Sequence, residues 1–507
     1  MCTDWQISTD LTTYTFTIKS NAFWHDGQVV DADDVVWTWQ TLADDPGIPR
    51  RNWLYDNVVS ITKLSQFSVE IVLDYGFKAV DVLVDIGTDW ILPEHIWKNI
   101  DYYDFTNDNP VGCGPFKFAS MTNGVEIELA RHENYHLSGP WVNQKIIKII
   151  PVQSMAFHYL NSSTVDVVEE CTPSQVDYAD IDPDINVHST YQDYWMYLAL
   201  NQRRYPNNIT EFRRAILYGI NQVEVIDIAR FGIGEVCLAS CSLPYGPYYN
   251  PAIPIYNYNT VLANSTLDSI GVIDSDADGW REANGTEISF EILVSSESQE
   301  SVDSVNLIKG FMSEMGINVS VSPVLFSVLW QAIGGVGQVG GDYNYPGKYD
   351  YDWCYAGWVG FWSDFHPHWA QWLFSKNLWW GSDNVNIPGW NNIVRNEVSD
   401  LTEEISYETD DIIIKQKLDF IQELVANDLP YLPINILGEK ILYRIDEFED
   451  WTMGYAKGPD SWDSWLTVHL IGVPTVYEYM NLAGILAVLV VICIFASGKR
   501  LQNRKRK

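Results

Sequence analysis

The stretch Tyr14-Thr-Phe-Thr-Ile-Lys19, followed closely by Ala22-Phe-Trp-His-Asp-Gly-Gln-Val-Val-Asp-Ala-Asp-Asp-Val35, decides how the chain begins to fold. In the first part apolar side chains alternate with threonines, and this period of two predicts a β-strand. Asp26-Gly27 then marks a turn. Asp33 and Asp34 place carboxylates in the first turn of a helix, where the helix dipole favours negative charge. We therefore predict a strand, a turn and a helix in direct succession.

Other segments extend the same mixture along the chain. The alternating patterns of Val69–Leu73 and Val125–Leu129 predict two further strands. Apolar residues at helical spacing predict helices over Phe212–Ala229 and Ile412–Asn427. Short strands mixed with helices, without sequence repeats, indicate an α/β fold.

The size and charge of the chain limit the number of domains and the kinds of partner that we expect. Its 507 residues suit two to four domains or one large bilobed protein, and 47% hydrophobic residues are ample for packed cores. The net charge of −36 repels phosphates and argues against a nucleic-acid partner.

The C-terminal end has the pattern of a membrane anchor. Residues 479–497 carry no charge, and 19 residues are enough to cross a bilayer as a helix. Six cations follow: Lys499, Arg500, Arg504, Lys505, Arg506 and Lys507. Because cytoplasmic flanks are positively charged, we predict a linker at 471–478, a transmembrane helix at 479–497 and a basic cytoplasmic tail at 498–507. The bulk of this single-pass protein would then lie outside, at the cell surface.

The N-terminal end lacks a matching export signal. Met1-Cys2-Thr3-Asp4 has neither a basic region nor an apolar one, so we expect the N-terminal part to be truncated. Five Asn-x-Ser/Thr triplets give weak support for export. They begin at Asn161, Asn208, Asn264, Asn284 and Asn318.

Two cysteines are candidates for a disulfide. Cys237 and Cys241 lie four residues apart in a segment rich in glycine, proline and tyrosine. Outside the cell they could close a small disulfide loop.

The segment from Tyr343 to Trp390 is unusually aromatic. It holds 16 aromatic residues in 48, eight of them tryptophan. Large flat side chains with a few carboxylates suit a pocket that encloses an organic ligand, although ordinary core aromatics would give a similar count.

Six landmarks in order resemble solute-binding protein family 5, the oligopeptide-, dipeptide- and nickel-binding subunits of ABC importers. Each alone is weak, and together they cover nearly all of residues 1–470. They are Tyr14–Val35, Gly112–Phe116 with Arg131–Tyr135, Leu198–Asn201 with Phe212–Ile216 and Ile220-Asn221, Asp274–Trp280, Tyr349–Trp358, and Asp428–Pro433. With the C-terminal anchor, the chain resembles an archaeal-type member of this family.

The resemblance implies an α/β fold of the bilobed periplasmic-binding-protein type (type II, cluster C-like), in which two hinge strands join two lobes that close on a ligand. It places lobe I at 1–199, without its N-terminal part, lobe II at 200–437, and a return to lobe I at 438–470. One C-terminal transmembrane helix would follow.

The implied function is that of an extracellular receptor that captures oligopeptides or dipeptides and delivers them to an ABC permease. It is not an enzyme and needs no cofactor. We find no P-loop, so the permease and the ATPase would be other chains. The ligand-binding candidates are Tyr355, Trp358, Phe361, Trp362, Asp364 and Trp390.

The identity of the ligand stays open at this point. Peptide-binding relatives contact the ligand's ammonium through an aspartate just after Gly-Trp, and here the first acidic residue after Gly357-Trp358 is Asp364. Relatives that bind sugars line this region with tryptophan, so an oligosaccharide is the alternative ligand.

Two metal-like motifs provide rival hypotheses. His132-Glu133-Asn-Tyr-His136 matches the zinc-peptidase pattern H-E-x-x-H, which needs a helix to bring both histidines to one face. A predicted strand before it and Gly139-Pro140 after it argue against that helix. Asp274-x-Asp276-x-Asp278-Gly279 imitates a calcium loop, but position 12 is Gly285 where a glutamate is needed, so we predict a polar turn.

Overall fold

The computed structural model describes residues 1–48, 53–77, 79–169, 171–240, 248–333, 349–359, 374, 386–453, 459 and 466–470. Within these residues no helix is long and apolar enough to cross a bilayer. The predicted transmembrane helix at 479–497 lies outside the described residues.

The strands in chain order are β1 Cys2–Ile7, β2 Thr13–Ile18, β3 Val58–Ser65, β4 Ser68–Leu73, β5 Phe116–Thr122, β6 Glu126–Arg131, β7 Gln144–Lys148, β8 Val167–Val168, β9 Ile185–Leu200, β10 Gly234–Val236, β11 Glu282–Ala283, β12 Thr286–Glu287, β13 Ser289–Ser295, β14 Asn318–Val324, β15 Trp353–Val359, β16 Leu432–Arg444, β17 Phe448–Glu449 and β18 His469–Leu470. The α-helices are α1 Ala32–Asp44, α2 Ala79–Thr88, α3 Glu94–Trp97, α4 Gln153–Asn161, α5 Pro173–Ala179, α6 Thr210–Tyr218, α7 Gln222–Glu224, α8 Thr260–Ser269, α9 Gln299–Glu314, α10 Phe326–Ala332, α11 Ile393–Ser406 and α12 Asp411–Asp428. A 3₁₀-helix covers Trp53–Asn57, and a π-helical turn covers Val225–Ala229.

The chain divides into two compact units. The first comprises Met1–Thr190 and Glu439–Lys507, and the second comprises Tyr191–Gly438. Each boundary falls inside a strand, because β9 contains the first and β16 contains the second. The two units are therefore linked through two strands rather than through loops.

The first unit begins with the predicted strand, turn and helix. β2 lies in a four-stranded antiparallel sheet of order β1-β2-β4-β3, and α1 follows the turn. Asp31 caps α1, and the Asp34 carboxylate accepts the Asp31 N–H at 3.0 Å, which completes a capping box. The Asp34 carboxylate also accepts hydrogen bonds from the Trp24 indole N–H at 3.0 Å and from the Glu94 N–H at 2.9 Å. One buried carboxylate thus joins the turn, the helix start and α3.

The second unit is built on a larger sheet of order β10-β16-β9-β15-β13-β14. β15 runs antiparallel to β9 and parallel to β13. Side chains alternate between its two faces, so Trp353 and Tyr355 pack into one hydrophobic core and Cys354 and Ala356 into another. The sheet is buried on both faces.

The predicted helix at Phe212–Ala229 is wrong as one continuous element. α6 ends at Tyr218, and the Asn221 side chain accepts the Glu224 N–H to start the short helix α7. Asparagine favours such a cap over a helix interior because its side chain bonds to nearby backbone. The apolar spacing survives the break, which is why the pattern concealed it.

A buried ion pair organises the second unit. Arg213 on α6 is fully buried and donates from Nη2 to Asp428 Oδ1 at 3.1 Å. It also donates to the backbone oxygens of Asp428, Leu429 and Asn207. The second oxygen of Asp428 accepts from the Trp390 indole at 2.5 Å and from Asn392 at 2.6 Å. Burial lowers the pKa of Arg213 to about 10, so it stays protonated at neutral pH.

We expect Arg213→Met to destabilise the protein by about 3–5 kcal/mol, because it leaves the Asp428 carboxylate buried without its cation. Denaturant unfolding followed by far-UV circular dichroism measures this change. Arg214→Met is the matched control, because Arg214 is adjacent on α6 but partly exposed and should cost less than about 1 kcal/mol. Equal losses for the two variants would contradict the assignment of Arg213 as an organising residue.

Candidate functional site

The candidate site centres on β15, where a glycine makes room for a neighbouring ring. A Cβ on Gly357 would lie 2.0 Å from the Tyr194 ring and 2.7 Å from Met196 Sδ, both on β9. Because Gly357 has no side chain, the Tyr194 and Met196 side chains of β9 can pack directly against the β15 backbone. Trp358, the next residue, points to the opposite face and packs, half-buried, against the core that contains Trp195.

The described candidates do not share one surface. Tyr355 is 1% exposed, packs into the core that contains α6 and α9 residues, and donates its hydroxyl to Asn435 Oδ1 at 3.2 Å. Trp390 is 2% exposed and holds Asp428 through its indole N–H. Trp390 and Trp358 belong to the same core, while Tyr355 lies across the sheet from them. Their role in ligand binding stays a prediction.

Among these three, Trp358 is the candidate with a free polar group. Its indole Nε1 is buried and has no hydrogen-bond partner among the described residues, and the same holds for Trp195 Nε1. The other candidates, Phe361, Trp362 and Asp364, lie outside the described residues.

Sequence reasoning missed an aromatic cluster on the neighbouring strand. Trp195 and Tyr197 on β9 have ring centroids 5.1 Å apart, and Tyr431 makes an edge contact with each at 6.0 and 4.9 Å. The Tyr197 hydroxyl is buried without a partner among the described residues, and burial raises its pKa. The available signal was the density of aromatics in Tyr191–Tyr197, where four of the seven residues are aromatic.

The entry to β15 is fixed from the end of β9. Asn201 donates its amide to the backbone oxygens of Tyr349 at 3.0 Å and Tyr351 at 2.8 Å. Arg204 bridges Asp350 at 2.9 Å and Asp352 at 2.5 Å. The charged and polar residues that precede the candidate site thus hold the strand in place.

The zinc-peptidase motif lacks its helix. β6 ends at Arg131, and residues 132–138 form turns and bends. His132 Nδ1 lies 3.0 Å from the Gly114 carbonyl oxygen. This context, a strand followed by a turn, agrees with the sequence prediction and does not bring His132 and His136 to one face of a helix.

Two histidines, His25 and His132, contact the backbone of the Gly112-Cys-Gly114 segment. His25 Nδ1 accepts the Gly112 N–H at 3.1 Å, and His25 Nε2 lies 3.1 Å from the Gly114 carbonyl oxygen. The carbonyl requires a donor, so His25 is the neutral Nε2–H tautomer. The His132 ring makes an edge contact with His25 at 5.0 Å between centroids.

The calcium-like segment forms a polar turn. Asp274 accepts the N–H groups of Ala277 at 2.7 Å and Gly279 at 3.1 Å, and Asp278 accepts that of Trp280 at 2.8 Å. Carboxylate oxygens of Asp274, Asp276 and Glu282 lie within 4.8 Å of one another. These backbone contacts explain the aspartates as turn residues.

The disulfide prediction is untested. Cys237 is buried, and burial raises the pKa of its thiol. Cys241 lies outside the described residues.

Comparisons with known proteins identify the class of the molecule. The family model described as "Bacterial extracellular solute-binding proteins, family 5 Middle" matches residues 1–380. The oligopeptide-binding protein AppA of Bacillus subtilis is 23% identical over 355 residues, which are 68% of this chain and 62% of that protein. The match thus spans less than two thirds of that relative.

Solved structures show the same fold. The periplasmic oligopeptide-binding protein of an oligopeptide ABC transporter from Thermotoga maritima has a TM-score of 0.78 at 20% identity, covering 92% of this chain and 87% of that one. Its mannohexaose-bound structure has a TM-score of 0.71 at 20% identity, covering 90% and 85%.

The fold is therefore the α/β fold of periplasmic binding proteins, which confirms the predicted class. Because the family match spans most of the chain, the protein belongs to family 5 of the extracellular solute-binding proteins.

We expect His25 and His132 to contribute a loss of folding stability as the pH decreases below about 6.5. Burial lowers the pKa of His25 and His132 from 6.5, so the unfolded chain binds protons that the folded protein does not. Their contribution is complete above about pH 6.5 and is lost as the pH falls below it. A glutamine at position 25 can accept and donate the same bonds without titrating.

Melting temperatures of the natural protein and His25→Gln between pH 7.5 and 5 measure this effect. The variant should lose less stability over that range. His158→Gln, at an exposed position of α4, should follow the natural protein. Parallel curves for the natural protein and His25→Gln would refute a role for His25.

Proposed function

We propose that the protein is the extracellular solute-binding receptor of an ABC importer that captures oligopeptides or dipeptides and delivers them to the permease. The family match over residues 1–380 carries this proposal. The relative AppA is named for oligopeptide binding, and the same is true of the Thermotoga maritima protein. The division into two units linked by two strands suits a receptor of the type II, cluster C-like arrangement. In our proposal lobe I comprises 1–199 and 438–470, and lobe II comprises 200–437.

The ligand contacts that we propose lie in the second unit. Trp358 supplies an aromatic surface and an indole N–H that has no hydrogen-bond partner in the part of the chain that the structure describes, and Phe361, Trp362 and Trp390 belong to the same aromatic segment. Asp364 is the proposed partner of the peptide ammonium. Tyr355 contributes by holding β15 through Asn435.

An oligosaccharide is the second candidate ligand. Its support is the tryptophan content of residues 343–390 and the mannohexaose bound by the Thermotoga maritima protein. Aromatic faces stack on sugar rings without needing a charged partner, so the proposed transport role would be unchanged.

The proposal includes no enzymatic activity and no cofactor. A zinc peptidase would need the helix that His132, Glu133 and His136 do not form. The permease and ATPase partners are separate chains, and the acidic surface disfavours nucleic acid.

We further propose an archaeal-type arrangement, in which residues 479–497 anchor the receptor and 498–507 remain in the cytoplasm. The uncharged segment and the cations after it support this topology. The receptor would then be a single-pass protein of the cell surface, with most of the chain outside.

We expect the ligand that co-purifies with the full-length, detergent-solubilised protein to be a mixture of short peptides, identified by mass spectrometry. Calorimetry of one such peptide should show that Asp364→Ala costs about 2–5 kcal/mol of binding free energy, because a desolvated ammonium loses its carboxylate. If the ligand is a saccharide, Trp358→Ala should dominate, at about 2 kcal/mol or more.

Two controls make the ligand experiment decisive. Trp90→Ala removes a tryptophan that is 72% exposed in the first unit and should not change affinity. Trp358→Phe keeps the packing and separates loss of contact from loss of fold. Saturable binding that neither Asp364→Ala nor Trp358→Ala weakens would refute the proposed site.

We expect protease added to intact cells to remove the bulk of the protein and to spare an epitope tag fused after Lys507. Six cations should keep that end in the cytoplasm. The same tag should be cut once the cells are permeabilised. Cleavage of the tag on intact cells, or protection of the whole chain, would contradict the proposed topology.

A further inference from the structure

The five Asn-x-Ser/Thr triplets differ sharply in their structural settings. Such a triplet is an acceptor for an N-linked glycan only where the asparagine amide and the hydroxyl two residues later are accessible on the surface. The structure describes all five, so the accessibility of each can be compared directly.

The triplet Asn284-Gly-Thr286 forms the tip of a hairpin. β11 and β12 pair through Ala283 and Thr286, which leaves Asn284 and Gly285 as a two-residue turn. Both have positive φ, 55° and 73°, as a type I′ turn requires. Asn284, Gly285 and Thr286 are all exposed, and a Cβ added at Gly285 would meet nothing within 4 Å.

The reacting groups of this triplet are also uncommitted. Neither the Asn284 amide nor the Thr286 hydroxyl makes a hydrogen bond among the described residues. Attachment of a bulky group at this tip would therefore break no hydrogen bond of these two side chains among the described residues.

Two other triplets are constrained by hydrogen bonds of the asparagine side chain. Asn264 lies within α8, its amide oxygen accepts from Arg281 at 2.9 Å, and the Thr266 hydroxyl donates to the Leu262 carbonyl oxygen at 2.7 Å. The Asn318 amide on β14 donates to Glu287 at 3.0 Å.

The triplet at Asn208 is held through its hydroxyl. Asn208 itself is exposed, but Thr210 donates to the buried Asp428 at 2.7 Å and accepts from Arg213 at 3.1 Å. The fifth triplet begins at Asn161, the last residue of α4, and ends at the half-buried Ser163.

We propose that Asn284 is the principal site of N-linked glycosylation on this protein. The inference rests on the proposed extracellular location. The donor is a lipid-linked oligosaccharide phosphate. The Asn284 Nδ2 forms a bond to the anomeric carbon, the bond from that carbon to the lipid phosphate oxygen breaks, the phosphate leaves with the electron pair, and one amide proton passes to a base.

Trypsin separates all five triplets, so peptide mass spectrometry of the full chain purified from its native cells tests the proposal. Cleavage after Arg281 and Lys309 places Asn284 alone in peptide 282–309, while Asn264 falls in 231–281 and Asn318 in 310–348. We expect peptide 282–309 to carry a glycan at the highest occupancy of the five. An unmodified 282–309, or higher occupancy at any of the other four triplets, would overturn the proposal.

Variants of the hydroxyl residue show whether the modification depends on the triplet, without straining the positive φ of Asn284. Thr286→Ala should remove the glycan mass from peptide 282–309, and Thr286→Ser should retain it. Thr266→Ala is the matched control and should leave the intact mass unchanged apart from the substitution. A glycan that persists in Thr286→Ala would refute attachment at Asn284.

The result is separable from the proposed receptor function. If the protein is not exported, external protease will leave it intact and all five triplets will be bare. If protease removes the extracellular part and Asn284 is bare, the glycan proposal alone fails.

Discussion

The second unit depends on one buried interaction, the pair formed by Arg213 and Asp428. A fully buried guanidinium is costly unless each of its donors finds an acceptor, and here the carboxylate and nearby backbone oxygens supply them. Asp428 then has one oxygen left, which fixes Trp390 and Asn392. A single charge pair thereby joins α6, the end of α12 and the segment before α11.

In the first unit, too, polar side chains join separate segments through hydrogen bonds, although the groups here are a carboxylate and a neutral histidine. Asp34 gathers three N–H donors from the turn, the helix start and α3, and His25 bridges Gly112 and Gly114. These residues belong to the motifs on which the family resemblance depends. Arg213 with Asp428, and Asn201 with Tyr349 and Tyr351, belong to them too. The recognisable motifs are therefore largely contacts that hold the fold, and they say little about the ligand.

This distinction explains how much the sequence could predict. The strand at Thr13–Ile18, the helix that starts after Asp31 and the helix at Asp411–Asp428 follow from local patterns, and the structure confirms them. The break after Tyr218 was hidden because the apolar spacing continues across it. Burial was the harder problem, since an aromatic count cannot separate Tyr355, which is 1% exposed, from Trp358, which is half-buried and whose indole N–H has no hydrogen-bond partner among the described residues.

The distinction between contacts that hold the fold and residues that bind the ligand also bears on how ligand preference can vary within one fold. Gly357, Tyr194 and Asn201 fix the position of β15, the strand that contains Trp358. They do so through contacts inside the second unit. Phe374, Ile387 and Trp390 lie farther along the chain and pack in the same core as Trp358, so the fold constrains them as well. A family whose members share this fold at about 20% identity, and include both oligopeptide-named and mannohexaose-bound proteins, fits such an arrangement. Contacts of this kind fix the scaffold, and they do not by themselves determine which ligand is bound.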